Sequence, residues 1–411
     1  MTQTKPISYV ATHRENRMFD PDIAGADAVL NERVRGKRIL AIGAAGSIGS
    51  NTVTVLANYV PASLHVIDQN ENALADLVRN FRSRPGGMPV EDFRTLPLDY
   101  GSEAMHLFMQ ENGPYDIILN FAAIKHVRSE KDMYSTLQMF DTNLTKQARL
   151  IHWMKEMGFK GRYFSVSTDK AANPTSMMGA TKRCMEHVMF STAISDGLEA
   201  TITSARFANV AFSNGSLLQA FEQRLARGEP LSAPDQCRRY FVSLEESGQI
   251  CALASVCAPD RSIVIPKLDP QEHLILLEDV ARDFLAHHGY EAAIYNDEVA
   301  VLTAVEAEKA KGRWPLLLTP LNTSGEKPYE EFIAKGEKLL DIGLPNLQAL
   351  EYLPTPHGCV ADMIAQIDTL FVGGNKPGQI TKESLKEIIG QLEPGFLDSH
   401  RETGENLDQR L

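Results

Sequence analysis

The chain has 411 residues, too many for one core of ordinary size, so a main domain with additions is expected. Hydrophobic residues make up 43% and charged residues 23%, which is globular usage and argues against disorder of the whole chain. The formal net charge of −12 repels phosphate backbones at long range; it argues against general nucleic-acid binding but leaves room for a locally positive site.

The five cysteines, Cys184, Cys237, Cys251, Cys257 and Cys359, form no CxxC pair and are odd in number. That argues against a disulfide framework or a structural metal site and for a reducing compartment. The segment Met1–Val10 lacks the apolar run of a secretory signal, and no stretch is long and apolar enough to span a bilayer, so a cytoplasmic location is expected.

Residues 1–35 are polar with little periodicity and predict a short helical lead-in. A strand is predicted at Ile39–Ile42, followed by a glycine-rich turn and a helix over Ser47–Tyr59. Short apolar runs recur at Leu64–Ile67, Asp116–Phe121, Tyr163–Val166 and Thr201–Ser204, separated by helical patterns such as Glu71–Phe81 and Thr136–Met157. This alternation predicts an α/β fold over 36–210, with a parallel sheet covered on both faces. Over 211–340 the rhythm breaks into shorter, mixed segments, read as a smaller substrate-binding part. The stretch 341–411, with Gly373-Gly374-Asn375-Lys376-Pro377-Gly378 and a polar end, is read as a helical appendage and a mobile tail that serves oligomer contacts or covers the site.

Gly43-Ala44-Ala45-Gly46-Ser47-Ile48-Gly49 follows the first strand and opens a helix. A tight turn of this kind lets backbone approach a pyrophosphate, and the helix N-terminus supplies free N–H groups and a positive dipole. The spacing is GxxGxxG, and it is the strand–turn–helix context that separates a dinucleotide site from an ordinary turn. Asp68 ends the second strand about where a carboxylate meets the ribose hydroxyls of NAD; no Arg or Lys follows over 69–73, so NAD is favoured over NADP. The alternative for Asp68 is a surface acid at a strand end. Asp99, followed by Tyr100, is placed beside the adenine, with a plain loop acid as its alternative.

The run Ser167-Thr168-Asp169-Lys170-Ala171-Ala172-Asn173-Pro174-Thr175-Ser176-Met177-Met178-Gly179-Ala180-Thr181-Lys182-Arg183 resembles the signature of the nucleotide-sugar 4,6-dehydratases of the polysaccharide-biosynthesis type, a branch of the extended short-chain dehydrogenase/reductases. The segments 122–127, 206–210, 239–241 and 324–331 resemble that family too, and the likeness runs from about Gly36 to Phe332. It implies a Rossmann-type doubly wound parallel sheet with a smaller C-terminal substrate-binding part and a C-terminal extension. It also implies a bound NAD, UDP-N-acetylglucosamine as substrate, and a homo-oligomer paired through the helices at 136–157 and 178–194. The implied chemistry oxidises the hexose at C4, eliminates water across C5 and C6, and returns the hydride to C6, giving a 4-keto-6-deoxy sugar.

Within this resemblance Asp169 is the acid for the 6-hydroxyl and Lys170 the base at C5, which needs a raised and a lowered pKa respectively. The alternative is a solvated ion pair. Thr168 orients the 4-hydroxyl, and Lys182 holds the nicotinamide ribose. Ala122, Ala123 and Lys125 fall on the cofactor side. Lys125, His126, Asn209, Ser216, Arg239 and Glu326 fall on the substrate side, Arg239 as a bidentate partner for phosphate. His126 and Arg206 have structural alternatives. Met178 stands where the superfamily has the tyrosine of Tyr-x-x-x-Lys, and a thioether carries no proton, so the group that deprotonates the 4-hydroxyl is left open. Two further departures are Leu339–Pro354, which matches no family pattern, and the lack of the N-terminal membrane spans that long members carry. The competing readings are an epimerase or reductase on the same fold, which would not need the Asp169–Lys170 pair, and a non-catalytic NAD-binding protein.

Overall fold

The computed structural model describes residues 5–125, 130, 132–321, 327–371 and 380–400. Six strands follow the predicted alternation: β1 (Arg38–Ile42), β2 (Ser63–Ile67), β3 (Asp92–Leu96), β4 (Ile117–Asn120), β5 (Arg162–Val166) and β6 (Thr201–Ala205). Further strands are β7 (Asn209–Val210), β8 (Leu231–Pro234), β9 (Arg238–Val242), β10 (Ser262–Pro266), β11 (Leu274–Leu276), β12 (Glu291–Tyr295), β13 (Arg313–Thr319), β14 (Lys338–Leu340) and β15 (Leu347–Glu351).

A nine-stranded sheet runs in the order β14-β15-β10-β6-β5-β4-β1-β2-β3. Neighbours from β10 to β3 are parallel, whereas β15 is antiparallel to β10 and β14 antiparallel to β15. The α/β, Rossmann-type sheet expected from the sequence is therefore present. One face is covered by helices Asp20–Val34, Ser47–Ala57, Glu71–Arg82 and Leu244–Val256, the other by Glu103–Asn112, Lys146–Glu156 and Met177–Ser195. The strands are apolar on both faces because both are buried, as the continuous runs require. Two three-stranded sheets, β11-β9-β7 and β12-β13-β8, lie beyond the main sheet.

Three features go past the sequence reading. The lead-in carries a 15-residue helix whose Leu30 and Val34 are core residues, and its buried Asp22 accepts hydrogen bonds from the backbone and side chain of Asn346 at 2.9 and 2.8 Å. The helix pattern at 136–157 is divided into Met133–Phe140, a π-helical turn at Asp141–Thr145, and Lys146–Glu156. The segment after 341 supplies β15 as well as helices. Its Ala349 and Leu350 are fully buried, so it continues the sheet that the parallel strands begin. The helices Cys359–Phe371, Lys382–Leu392 and Pro394–Ser399 then lay Met363, Ile367, Leu385, Ile389 and Phe396 against Phe140, Ala180 and Cys184. The chain's own C-terminal helices thus cover part of the face through which the resemblance implies subunit pairing. The glycine-rich run at 373–378 lies outside the described residues.

Helix Leu244–Val256 presses onto the helix that follows the glycine turn through Gly248, where a Cβ would sit 2.6 Å from the backbone carbon of Asn51. Alanine is intrinsically better in a helix by about 1 kcal/mol, but overpacking costs about 1–3 kcal/mol, and here the obstacle is unyielding backbone. Gly248→Ala should therefore lower the urea midpoint at unchanged m-value; an equal or higher midpoint would contradict this packing.

Candidate active site

The order of strands reverses between β1 and β4, and the carboxyl ends of flanking strands splay apart at such a point. A cleft of about 1080 Å³ opens there, lined from the ends of β1, β2, β4, β5 and β6 and from the segments 213–218 and 239–241. It exceeds the usual volume of a site for one small ligand.

The glycine turn forms its floor. Gly43 has φ +67°, and a Cβ there would lie 2.5 Å from the Ala122 nitrogen. Gly49 packs on Ala44, where a Cβ would lie 2.5 Å from its Cα. Gly46 meets only the Gly43 carbonyl at 3.5 Å, and it begins helix Ser47–Ala57 with no side chain capping the first turn. Two glycines serve chain packing, while the third leaves uncapped N–H groups facing the cleft, which suits a pyrophosphate. Gly43, Gly46, Ser47, Ile48 and Gly49 line the cleft together with Asp68. Ala45 does not; its N–H donates to Asp68 Oδ2 at 3.2 Å and fixes the acid beside the turn. The residues present fit a dinucleotide of the NAD type.

Asp99 and Tyr100 also line the cleft, but their side chains are already engaged. Asp99 accepts from Lys146 Nζ at 2.6 Å and from Gly101 N at 2.9 Å. Burial opposes its ionisation, yet these donors outweigh it and hold its pKa below the usual value. Tyr100 is buried, and its hydroxyl donates to the Thr142 carbonyl. Ala122 and Ala123 line the cleft from the end of β4.

After β5, Thr168, Lys170, Met178 and Lys182 line the same cleft, but Asp169 does not. Asp169 is 1% exposed and sits behind its neighbours: Oδ1 accepts from the Thr168 hydroxyl at 2.8 Å, from Lys170 N at 2.9 Å and from Lys170 Nζ at 3.3 Å. Its Oδ2 is buried, with no hydrogen-bond partner among the described residues. Lys182 is buried on helix Met177–Ser195, where its ammonium donates to the Val166 carbonyl at 2.6 Å. Burial, only partly opposed by Glu186, lowers its pKa from 10.5 to about 8. Met178, buried at 3%, is pocket wall.

On the far side, Lys125 donates to the Asn214 carbonyl at 3.1 Å; burial by the surrounding protein lowers its pKa, although its side chain is exposed along the cleft. Arg239 is 9% exposed and donates to the carbonyls of Arg238 and Lys327 at 2.8 and 3.0 Å. Among the described residues it has no carboxylate partner, so a buried cation faces the cleft unneutralised, which calls for an anionic ligand. Asn209 and Ser216 line the cleft, and Ser216 caps helix Leu217–Arg227. His126 and Glu326 lie outside the described residues. Arg206 takes its structural alternative: fully buried, it pairs with Glu186 at 2.6 Å and Glu337 at 2.7 Å.

Residues 39–350 match the family described as polysaccharide biosynthesis protein. The chain belongs to this family. A relative from Methanocaldococcus jannaschii, named an uncharacterized membrane protein, is 27% identical over 87% of this chain and 96% of its own length. A protein from Campylobacter jejuni named UDP-N-acetylglucosamine 4,6-dehydratase (inverting) is 28% identical over 57% of this chain and 67% of its own. Of solved structures, Pen from Bacillus thuringiensis aligns with a TM-score of 0.63 at 23% identity, over 79% of this chain and 89% of that one. MoeE5 in complex with UDP-glucose and NAD aligns with a TM-score of 0.52 at 17% identity, over 82% and 100%. Both show the same fold. Among the described residues, no helix is long and apolar enough to cross a membrane.

Several residues around the cleft carry no signal in the sequence. Asn214 donates its N–H to Ser47 Oγ at 2.8 Å and accepts from Lys125, tying the glycine helix to the far wall. Lys146 holds Asp99 and, at 3.2 Å, Asp141. Glu186 bonds Ser167, next to Thr168, at 2.6 Å. None sits in a local pattern that marks it, because each acts on a partner distant in sequence.

Between about pH 8 and 10.5 the unfolded chain binds a proton that native Lys182 has released, so this group makes stability rise with pH across that window. Lysine-selective NMR should show one ammonium titrating near 8 that disappears in Lys182→Met. A titration at the ordinary 10.5 would contradict the burial argument.

Proposed function

We propose that the chain catalyses the 4,6-dehydration of a UDP-linked N-acetylhexosamine, UDP-N-acetylglucosamine in the first place, to the 4-keto-6-deoxy sugar. The observation that carries this reading is one cleft lined by Gly46, Thr168, Lys170 and Lys182, with the Asp169 carboxylate one hydrogen bond behind Thr168. Names of relatives and the nicotinamide found in a structure of the same fold support it.

NAD held by Gly43–Gly49 and Asp68 would accept a hydride at C4 and return it at C6. Every other task falls to side chains. Lys182 in its free-amine form, which a pKa of about 8 makes accessible at mildly alkaline pH, takes the proton of the 4-hydroxyl where the superfamily's tyrosine is replaced by Met178. Transfer of one proton across the 3.3 Å contact turns the Lys170–Asp169 ion pair into an amine and a carboxylic acid at no change in net charge. Water excluded by the bound sugar favours that neutral pair, because desolvation penalises ions. Lys170 then removes the C5 proton, made acidic by the C4 ketone, and the Asp169 proton passes through the Thr168 hydroxyl to the departing 6-hydroxyl, which leaves as water. Lys170 returns a proton to C5. The proton gained by Lys182 and the one lost by Asp169 balance through solvent. Arg239 neutralises the diphosphate, with Asn209, Ser216 and Lys125 beside it.

Incubation with UDP-N-acetylglucosamine and no added reductant should give a product lighter by one water, by mass spectrometry, without accumulation of reduced cofactor. A product of unchanged mass would point to epimerisation and against this proposal. Asp169→Asn and Lys170→Met should each lower kcat by about 10²–10⁴; normal turnover by either variant would remove that residue from the mechanism.

A further inference from the structure

We propose that Lys327 is a positioning residue that couples anion binding at Arg239 to the turn carrying Asp169 and Lys170. The proposal rests on the reading of Arg239 as the nucleotide diphosphate site. Lys327 does not line the cleft. Its ammonium donates to the Asn173 carbonyl at 2.6 Å and lies 3.5 Å from that of Ala172, three and two residues beyond Lys170. Asn173 has φ +50°, a left-handed conformation that costs energy in any residue with a Cβ and is held by its surroundings. Two more bonds from the same segment hold it: Asn173 Nδ2 donates to Glu331 at 3.1 Å, and Lys335 N donates to Asn173 Oδ1 at 3.4 Å.

The backbone of that segment faces the other way. The carbonyls of Lys327 and Pro328 accept from Arg239 Nη1 at 3.0 and 3.3 Å, and Pro328 also accepts from Arg238 N at 2.8 Å. One residue therefore grips the Arg239 guanidinium with its carbonyl and the catalytic turn with its side chain. An anion that immobilises Arg239 fixes the carbonyls bonded to it, and through the Lys327 side chain it fixes the turn from Ala172 to Asn173. The nucleotide end of the substrate thus organises the acid and base at the sugar end.

The test uses hydrogen exchange of the amides in 171–176 with and without UDP, alongside UDP affinity by calorimetry. In the wild type UDP should slow exchange there by about tenfold. Lys327→Met should bind UDP within a few-fold of wild type yet lose that protection, and should lower kcat by about tenfold with KM little changed; Lys327→Arg should restore part of both. UDP-induced protection in Lys327→Met equal to wild type, or an unchanged kcat, would overturn the coupling. Should Lys327→Met fail to fold, Lys327→Gln carries the same comparison. Failure of UDP to bind the wild type would overturn the diphosphate reading itself, and the coupling with it.

Discussion

The backbone of Ala122 passes so close to Gly43 that a methyl group there would reach within 2.5 Å of its nitrogen. That approach lets the ends of β1 and β4 close under the cleft where the sheet reverses its order. Gly49 brings the following helix down onto Ala44 in the same way, so the uncapped first turn at Gly46 is aimed by packing on both sides. The cofactor floor is thus a consequence of what three positions lack. The helix itself is held from behind by Leu244–Val256, which no local signal connects to the turn.

The reacting side is held by charge. Arg206 and Glu186 are both fully desolvated, and each stabilises the other's ionised form: burial favours neutrality for both, yet pairing holds Glu186 at a pKa of about 2 and raises that of Arg206. Breaking such a pair by removing one partner costs about 3–5 kcal/mol. Glu337 joins Arg206 to Arg183, and Glu393 joins Arg183 to His187 at 3.2 and 2.7 Å. The network ties β6, the helix of Lys182, the loop before β14 and the C-terminal helices into one frame behind Thr168. Within it Lys182 is the exception, a buried cation with a backbone carbonyl and a thioether for company, and burial lowers its pKa to about 8.

Much of this was legible in the chain. Continuous apolar runs marked β1, β2, β4, β5 and β6 because buried parallel strands bear no polar face. The glycine spacing marked the turn because backbone approach has no substitute. Legibility ended where a residue's role is set by a distant partner. Asp99 and Tyr100 line the cleft as read, but the sequence does not show that Lys146 holds Asp99 or that Tyr100 is buried. Asp169 read as the acid for the 6-hydroxyl; it lies outside the lining of the cleft, one hydrogen bond behind Thr168, which the sequence does not show. β15 was unreadable because its partner β10 lies about 85 residues earlier, and Leu347–Glu351 alone does not say which edge it joins.

The claim on which the account stands is that a proton leaves C5 of the sugar. Reaction in deuterium oxide, with product analysed by NMR in the first turnovers, addresses it most directly. With Lys170 as the base, one solvent deuterium is expected at C5 and none at C6, to which the original C4 hydrogen would return. A sugar product without solvent deuterium at C5 would contradict it.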